Sequence, residues 1–236
     1  MTLIFDETNI EQTFNCKVFP ISNDFAPVRT STTEIIPGRN GLLLIDGLRH
    51  ENVEMSYTAV FYSGNVMINL QNFKQFLLSK VGYKRLEDSF HPDEFYQAYV
   101  SADLDPVFTP DRTKAKVVFT FNRKPQRFLI SGEITTTLTA SGSITNPTLY
   151  ASKPLLRVYG TGVLGIGSQS ITITAVSGSY TDIDCEMQDA FVGAVNRNQY
   201  IQLSDYNFPT FAPGVNNISL GSGITRVIIT PRWWRI

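Results

Sequence analysis

The chain has 236 residues, enough for one large domain or two small ones with a substantial core. Apolar residues make up 42%, aromatic residues 12% and charged residues 17%, a composition that excludes a wholly disordered chain. The net charge of −1 excludes a general nucleic-acid binder, because phosphate binding needs an excess of basic residues.

Membrane, secretion and disulfide signals are all missing from the sequence. No apolar stretch is long enough for a membrane-spanning helix, so none is expected. The N-terminal residues lack a basic segment followed by a long apolar one, so no secretory signal is predicted. Cys16 and Cys185 are too few for a disulfide scaffold. We expect two reduced, buried thiols in a protein made in the cytoplasm, with one long-range disulfide as the alternative.

The first predicted elements along the chain are β-strands. Residues 42–46 form a strand that enters a tight turn at Asp46-Gly47. Residues 53–61, 95–100 and 117–121 alternate with a period of two, which is typical of strands with one face on a core.

One helix is predicted between these strands, over residues 69–81. Asn69 is expected to cap its start, and Gly82 follows its last apolar position, where a left-handed residue ends a helix. The apolar residues that recur at steps of three and four are Leu70, Phe73, Phe76, Leu77 and Val81.

Charge divides the chain into two parts. Residues 1–136 hold 14 basic and 16 acidic residues, whereas residues 137–236 hold only 6 and 5. The segment 132–143 between them is rich in Thr, Ser and Gly, and is either a linker or a polar edge strand. We therefore predict one domain over residues 1–136 and a second over 137–236.

The second part shows strands without any helical pattern. Glycine and proline turn signals recur about every ten residues, the spacing of an all-β sandwich. The predicted strands are 155–159, 171–176, 179–185, 199–203, 217–220 and 224–230.

Gly160-Thr-Gly162-Val-Leu-Gly165 matches the G-x-G-x-x-G pattern of dinucleotide-binding proteins. That pattern binds pyrophosphate because the N-terminus of a helix follows the loop. Residues 166–174 alternate as a strand instead, so we predict a hairpin turn and no cofactor.

Asp182, Asp184 and Glu186 alternate along a predicted strand, which would place three carboxylates on one face. Clustered carboxylates can hold a divalent cation. We favour a solvated strand face without a metal, with Ile183 and Cys185 turned inward.

His50 and His91 are the two histidines, and a Ser-His-Asp or Cys-His centre would need one of them. His91 is followed by Pro-Asp-Glu, where an imidazole beside carboxylates can act as an acid–base pair. The proline favours a surface loop, and His50 is predicted to be an exposed hairpin residue. The sequence therefore predicts no catalytic site.

Trp233 and Trp234 are adjacent near the C-terminus. Neighbouring side chains in a strand point to opposite faces, so the pair cannot form one platform for stacking on a sugar. We expect one tryptophan to complete the sandwich core and the other to pack on an interface.

Several segments along the chain follow the order typical of one family of proteins. They are 37–44 (Pro-Gly-Arg-Asn-Gly-Leu-Leu-Leu), 82–88, 153–160, 180–190, 208–219 and 223–234, the last of which ends in Pro-Arg-Trp-Trp. In this ordered set the chain resembles the distal tail (Dit) proteins of siphophages.

The resemblance implies a mainly β fold in two parts. Residues 1–136 would form a β-barrel-like ring domain with one α-helix, and residues 137–236 a galectin-like β-sandwich. It also implies a hexameric ring in the virion, a hub at the tail tip made of copies of this chain. This hub would join the tail tube protein to the tail-associated protein and to receptor-binding or baseplate proteins. No enzyme activity, cofactor, membrane association or specific nucleic-acid binding is implied.

A carbohydrate-binding module that recognises host cell-wall polysaccharide is the alternative function. Galectin-type sugar sites use a histidine and polar residues beneath a tryptophan, and residues 137–236 contain no histidine. The structural hub is favoured, because a low charge fraction with many aromatic residues also suits subunit interfaces.

Overall fold

The structure is a computed structural model that describes residues 1–22, 25–101, 103–176 and 178–236. The chain forms two compact units, one of residues 1–127 with Ile236 and one of residues 128–235. Both consist mainly of β-strands, so the predicted fold class is confirmed. No helix in the described ranges is long and apolar enough to span a membrane.

The first unit contains ten strands and two α-helices among its described residues. In chain order they are β1 (Leu3–Phe5), β2 (Thr8–Asn9), α1 (Ile10–Thr13), β3 (Cys16–Ser22), β4 (Arg29–Ile35), β5 (Leu42–His50), β6 (Val53–Phe61), α2 (Val66–Ser79), β7 (Lys84–Asp88), β8 (Glu94–Val100), β9 (Pro106–Phe108) and β10 (Ala115–Arg123). One sheet has the order β2-β1-β7-β8-β10-β6-β3, with β9 also beside β10, while β4 and β5 form a separate two-stranded sheet. Within the part of the chain that is described, this sheet is open and does not close into a barrel.

The core of the first unit is aromatic. Every second residue of β6, from Val53 to Phe61, is buried, as the period of two predicts. Phe73 on α2 lies with its ring centre 5.5 Å from that of Phe61 and 5.3 Å from that of Phe119. Edge-to-face pairs of this kind contribute about 0.5–1.5 kcal/mol beyond the burial of their area. Phe73 therefore holds α2 on one face of the sheet.

The helix begins one turn before the predicted start and ends before the predicted end. Asn65 is its N-cap, and the Asn65 side chain accepts a hydrogen bond of 3.2 Å from the Ile68 N–H. Asn69, the predicted cap, lies inside the helix and donates its backbone N–H to the carbonyl of Asn65 over 2.9 Å. Residues 65 and 69 lie one helical turn apart and are both asparagine, so the sequence alone did not separate them. The second helix, α1, is a single turn and too short to show any periodicity.

The described residues of the second unit form short strands and two 3₁₀ turns, Ile130–Glu133 and Asn198–Tyr200. The strands are β11 (Arg127–Leu129, at the boundary), β12 (Thr136–Leu138), β13 (Gly142–Asn146), β14 (Leu155–Gly160), β15 (Gly162–Ile166), β16 (Gln169–Ile173), β17 (Thr181–Asp184), β18 (Asp189–Val192), β19 (Val195–Asn196), β20 (Ile201–Leu203), β21 (Gly214–Leu220), β22 (Ile224–Thr230) and β23 (Trp234–Arg235).

Two antiparallel sheets share one core in the second unit. One has the order β12-β22-β14-β17-β18-β19 and the other the order β13-β21-β15-β16-β20. Val158 and Ile229 from the first sheet and Leu164 and Ile171 from the second belong to the same buried cluster. The Thr- and Ser-rich segment contributes β12 and β13, the edge strands of these sheets, so it is edge strand and not linker.

Residues 128–136, which the charge pattern assigned to the first domain, lie in the second unit. The Leu129 N–H donates to the Trp233 carbonyl over 2.9 Å, and the Arg232 N–H donates to the Gly132 carbonyl over 2.8 Å. These bonds join sequence positions about a hundred residues apart, which a local change in composition cannot reveal.

The glycine pattern at 160–165 lies where the chain crosses from one sheet to the other. Gly160 ends β14 and Gly162 begins β15, and these two strands belong to different sheets. The predicted hairpin is therefore wrong in detail, although a strand, β16, follows the motif as predicted. A Cβ atom on Gly160 would lie 2.0 Å from the Gly223 carbonyl oxygen, so glycine is required for the close passage of two backbones.

Candidate assembly surface

The hairpin of β4 and β5, residues 29–50, is here called the arm, and it exposes a run of apolar side chains. Ile35, Leu42 and Leu44 are 79%, 62% and 65% exposed. Ile35 pairs with Leu42, so these two share a face with Leu44. Among the described residues neither strand pairs with any other strand, so both outer edges carry unpaired backbone N–H and C=O groups. Apolar surface with free strand edges is suited to pairing with another chain.

Asp46-Gly47, predicted to be a turn, lies inside β5 instead. The chain reverses at residues 36–41, and the strand register shifts near Thr30, where Gly47 approaches the other strand. A Cβ atom on Gly47 would lie 2.9 Å from the Thr30 carbonyl oxygen. Leu48 has a φ of +55°, which completes a β-bulge. An Asp-Gly pair suits a bulge as well as a turn, because both need a small residue at a tight backbone approach.

Asp46 stabilises this bulge through its carboxylate. It accepts from Arg29 Nε over 2.9 Å, from a second Arg29 nitrogen, and from the Leu48 N–H over 3.0 Å. The hydrogen bonds from Arg29 and from the Leu48 N–H lower the pKa of Asp46 to about 2. Beyond the bulge the strands pair continuously from Ser31 with Asp46 to Ile35 with Leu42, so the arm is a formed hairpin up to its turn.

The segment that leads into the arm is tied to the first unit by Arg123. This side chain is 1% exposed, and it donates to the backbone carbonyls of Phe25, Lys124 and Pro125 over 3.0, 3.1 and 3.3 Å. Its guanidinium also lies 4.9 Å from the ring centre of Tyr96. A buried charge is usually paired with a group of opposite charge. Among the described residues, Arg123 instead donates its hydrogen bonds to neutral backbone carbonyl groups. Arg123 therefore holds the segment that precedes the arm against the first unit.

The predicted solvated face is not formed, because Asp182 and Asp184 are buried and each is paired with a partly exposed arginine. Arg157 binds Asp182 through two bonds of 2.7 and 2.9 Å, and Arg232 binds Asp184 through two of 2.7 and 2.8 Å. Asp182 is 6% exposed and Asp184 is 4% exposed, whereas Glu186 is exposed and lies beyond the end of β17. Both carboxylates are occupied by arginine, which leaves them no free oxygen pair for a cation.

Arginine and tyrosine side chains form a ladder on the outer side of the same sheet. The Arg226 guanidinium lies 3.8 Å from the ring centre of Tyr159, and the Arg157 guanidinium lies 4.3 Å from that of Tyr180. The two tyrosine rings are 5.8 Å apart. Arginine and tyrosine dominate the binding energy of many protein interfaces. This surface was not predicted from the sequence, although Arg157 and Tyr159 lie two residues apart on β14 and therefore share a face.

The two histidines lie in different surroundings. His91 lies in the turn between β7 and β8, as predicted, and is partly buried: its Nδ1 lies 3.1 Å from Asp88 Oδ1, and its ring packs edge-on against Tyr96. Asp88 is 5% exposed and also accepts the backbone N–H groups of Phe90 and His91, so it organises the turn. His50 lies at the end of β5 and is half-buried.

The prediction that one tryptophan completes the sandwich core is confirmed for Trp233, whereas packing of the other on an interface stays a prediction. Trp233 is 5% exposed and contacts Phe211 in the core of the second unit. Trp234 is half-buried, stacks on Tyr150 with ring centres 4.6 Å apart, and donates Nε1–H to the Ala151 carbonyl over 3.0 Å.

Cys16 and Cys185 are free thiols, 3% and 2% exposed, as predicted. Burial raises the pKa of each to about 12, which keeps both unreactive near neutral pH.

No protein-family model and no curated protein sequence matches this chain. Among solved structures, the SPP1 Dit (gp 19.1) protein matches with a TM-score of 0.71 at 14% identity, over 100% of this chain and 99% of that chain. That protein is described as a paradigm of the hub adsorption apparatus in phages that infect Gram-positive bacteria. A chain of the phage P2 baseplate in its activated, calcium-bound conformation matches with a TM-score of 0.50 at 11% identity, over 92% and 91% of the two chains. The resemblance that the sequence motifs indicated is therefore confirmed as a shared fold over the full length.

Proposed function

We propose that this chain is a structural subunit of a phage tail tip, where six copies form a ring-shaped hub. In this role it joins the tail tube protein to the tail-associated protein and to receptor-binding or baseplate proteins, and its place is the virion. The observation that carries the proposal is the full-length likeness to the SPP1 Dit hub protein at a TM-score of 0.71. The proposed role is structural and includes no catalysis.

The arm supports this proposal on physical grounds. A protein that stays monomeric seldom exposes several large aliphatic side chains together on free strand edges. Burying the exposed part of one such side chain contributes on the order of 1–2 kcal/mol. An arm that contacts a different surface on the next copy makes a head-to-tail contact, and such contacts close at a fixed copy number when the rotation between copies allows it.

The two units have separate roles in this proposal. The first unit, which carries the arm, builds the ring. The second unit is a galectin-like sandwich that presents partner-binding surface outside the ring, and its arginine–tyrosine ladder is suited to contact other tail proteins.

The assembled mass tests the ring directly. A hexamer has six times the 26.4 kDa mass of one chain, which native mass spectrometry or light scattering of the concentrated protein will measure. Negative-stain images should show a six-fold ring with six outer lobes. Three-fold symmetry in this layer of isolated tail tips would contradict the proposal.

Substitutions on the arm separate assembly from folding. The double variant Leu43→Ser with Ile45→Ser should keep the wild-type far-UV spectrum and melting temperature but lose the hexamer, since these side chains are 39% and 49% exposed. Leu149→Ser with Val215→Ser is the matched control, because these side chains of the second unit are 88% and 68% exposed. A control that lost the ring equally would show that the arm has no special role.

Recognition of cell-wall polysaccharide is the second function to test, because Trp234 and Tyr150 form a half-buried aromatic stack in the second unit. Titration with host cell-wall polysaccharide is expected to give no saturable binding below the millimolar range. Tight binding that is abolished by Trp234→Ala would indicate that the second unit is a lectin and not only a scaffold.

A further inference from the structure

An apolar trough lies beside the first half of α2 in the first unit. One part, of about 630 Å³, has an apolar lining of Met67, Ile68, Leu70, Pro106 and Phe108. Met67 also lines a second, more polar hollow of about 570 Å³, so the two hollows adjoin at this residue. Together they offer an apolar patch with polar and basic groups beside it.

The floor of the trough is open to solvent in the single chain. Met67 is 48% exposed and Ile68 is 52% exposed, although α2 buries its other apolar face on the sheet. Methionine adapts its shape to whatever packs on it, which suits a surface that receives another chain.

Two basic side chains flank this floor. Lys74 lines the first hollow and Arg112 lines the second. In the described part of the chain neither side chain has an ion-pair partner. Asp111, next to Arg112 in the sequence, accepts hydrogen bonds from the hydroxyls of Thr109 and Thr113 instead. An occupant with an apolar surface and a carboxylate would therefore complement the trough.

One face of the arm has this combination of groups. Glu34 pairs with Leu43 and Thr32 pairs with Ile45 across the two strands, so the four side chains share a face. Leu43 is 39% exposed, Ile45 is 49% exposed, and Glu34 is exposed with no ion-pair partner in the described ranges. The opposite face, with Ile35, Leu42 and Leu44, carries no charged residue near the turn.

We propose that the arm of one copy lies in the trough of the next copy, with Leu43 and Ile45 on Met67 and Ile68 and with Glu34 beside Lys74. This proposal rests on the ring proposed above and specifies its contact. It makes the interface head-to-tail, because the arm and the trough are different surfaces of one chain.

Disulfide trapping between singly substituted chains tests the contact. Leu43→Cys chains are mixed with Gln71→Cys chains that carry a size tag, because Gln71 lines the trough and is exposed. After mild oxidation, a linked dimer of one tagged and one untagged chain is expected on a non-reducing gel. The buried Cys16 and Cys185 do not compete, at 3% and 2% exposure.

Two mixtures serve as controls. Leu44→Cys with Gln71→Cys probes the opposite face of the arm, and Leu43→Cys with Val118→Cys probes the exposed outer face of the main sheet, where Val118 is 43% exposed. We expect at least fivefold less linked dimer in each. If the protein forms hexameric rings but a control mixture gives equal or greater linkage, this contact is wrong. The proposal of a ring would still stand. A wild-type chain that forms neither rings nor linked dimers would contradict both proposals.

Charge exchange gives a second, independent readout. Glu34→Lys alone and Lys74→Glu alone should each raise the concentration needed for half-assembly about fivefold, the effect of losing an exposed ion pair of about 1 kcal/mol. The double variant should recover most of this loss, whereas Glu34→Lys with Lys116→Glu should not. Equal recovery by both double variants, or recovery by neither, would contradict the placement of Glu34 beside Lys74.

Discussion

Two arginine–aspartate pairs supply most of the buried charge in the described part of the second unit. Asp184 is the better buried carboxylate, and it also accepts the backbone N–H groups of Glu186 and Met187 over 2.9 and 3.1 Å. It therefore joins Arg232, near the C-terminus, to the turn that follows β17. A single carboxylate that accepts four hydrogen bonds, two of them from Arg232, is costly to replace, because four donors lose their acceptor at once.

Removing the charge of Asp184 should destabilise the second unit. We expect Asp184→Asn to lower the free energy of unfolding by about 1.5–3 kcal/mol, the range for hydrogen bonds to charged groups. Urea unfolding followed by tryptophan fluorescence will measure the change. Glu186→Gln, two residues away and exposed, is the matched control and should stay within about 0.5 kcal/mol of wild type. Equal effects of the two variants would argue against the ion pair.

The same carboxylate should make stability depend on pH. Burial raises the pKa of Asp184, but hydrogen bonds from Arg232 and from two backbone N–H groups outweigh it, so the pKa lies below its ordinary value of 3.8. A lowered folded-state pKa contributes stability above the unfolded-state pKa, and this is lost as pH falls through the folded-state value. We expect the urea midpoint of wild type to fall between about pH 4 and pH 2 more steeply than that of Asp184→Asn. Parallel curves would contradict this assignment.

At the scale of elements, helix α2 positions both the aromatic core and the trough. Its N-cap decides where its first turn lies, and Met67 and Ile68 belong to that turn. An asparagine cap satisfies one of the N–H groups that a helix start leaves without a partner. The position of the cap therefore decides which apolar residues of the first turn face solvent.

Alanine substitutions should distinguish the cap from the asparagine inside the helix. Asn65→Ala should cost about 1 kcal/mol of stability, because the N–H of Ile68 loses its acceptor. Asn69→Ala should cost less, because its side chain makes only a long bond of 3.4 Å to the Ser63 carbonyl. Thermal unfolding of the two variants side by side is the measurement. A larger loss of stability in Asn69→Ala than in Asn65→Ala would indicate that the helix begins at Asn69, as the sequence predicted.

At the scale of the whole molecule, each unit has its own hydrophobic core. The buried cluster of the first unit extends from Leu3 to Phe121, and that of the second from Leu156 to Trp233. A core of this size is the physical basis for independent folding of a domain near 100 residues. The separate roles proposed for the two units depend on that independence.

The second unit should therefore fold without the first. We expect a fragment of residues 128–235 to unfold cooperatively, with a melting transition and tryptophan emission close to those of the same unit in the full chain. It should remain a monomer by light scattering, because the arm and the trough are both absent. A fragment that is unfolded, or one that starts at residue 137 and is equally stable, would contradict the boundary near residue 128.

Much of the fold was predictable because it depends on local periodicity. The alternation of β6 and β10, the apolar spacing of α2 and the turn signals of the second half each report which side of an element faces a core. The resemblance of the terminal Pro-Arg-Trp-Trp and the preceding segments added the family, and the shared fold agrees with it. Local pattern did not place Asp46-Gly47 correctly, because a bulge and a turn have the same sequence pattern. It did not identify Asn65 as the cap either, because a second asparagine lies one helical turn further on.

The sequence by itself determined the mainly β class, the position of one helix within a turn, and the absence of a convincing catalytic motif. Only the tertiary structure decided that Asp182 and Asp184 are buried against arginines, that residues 128–136 belong with the C-terminus, and that the strands of the arm pair with no other strand among the described residues. The physical reason is the range of the interactions. Periodicity and capping act over a few residues, whereas ion pairs, sheet partners and the exposure of a face depend on segments far apart in the chain.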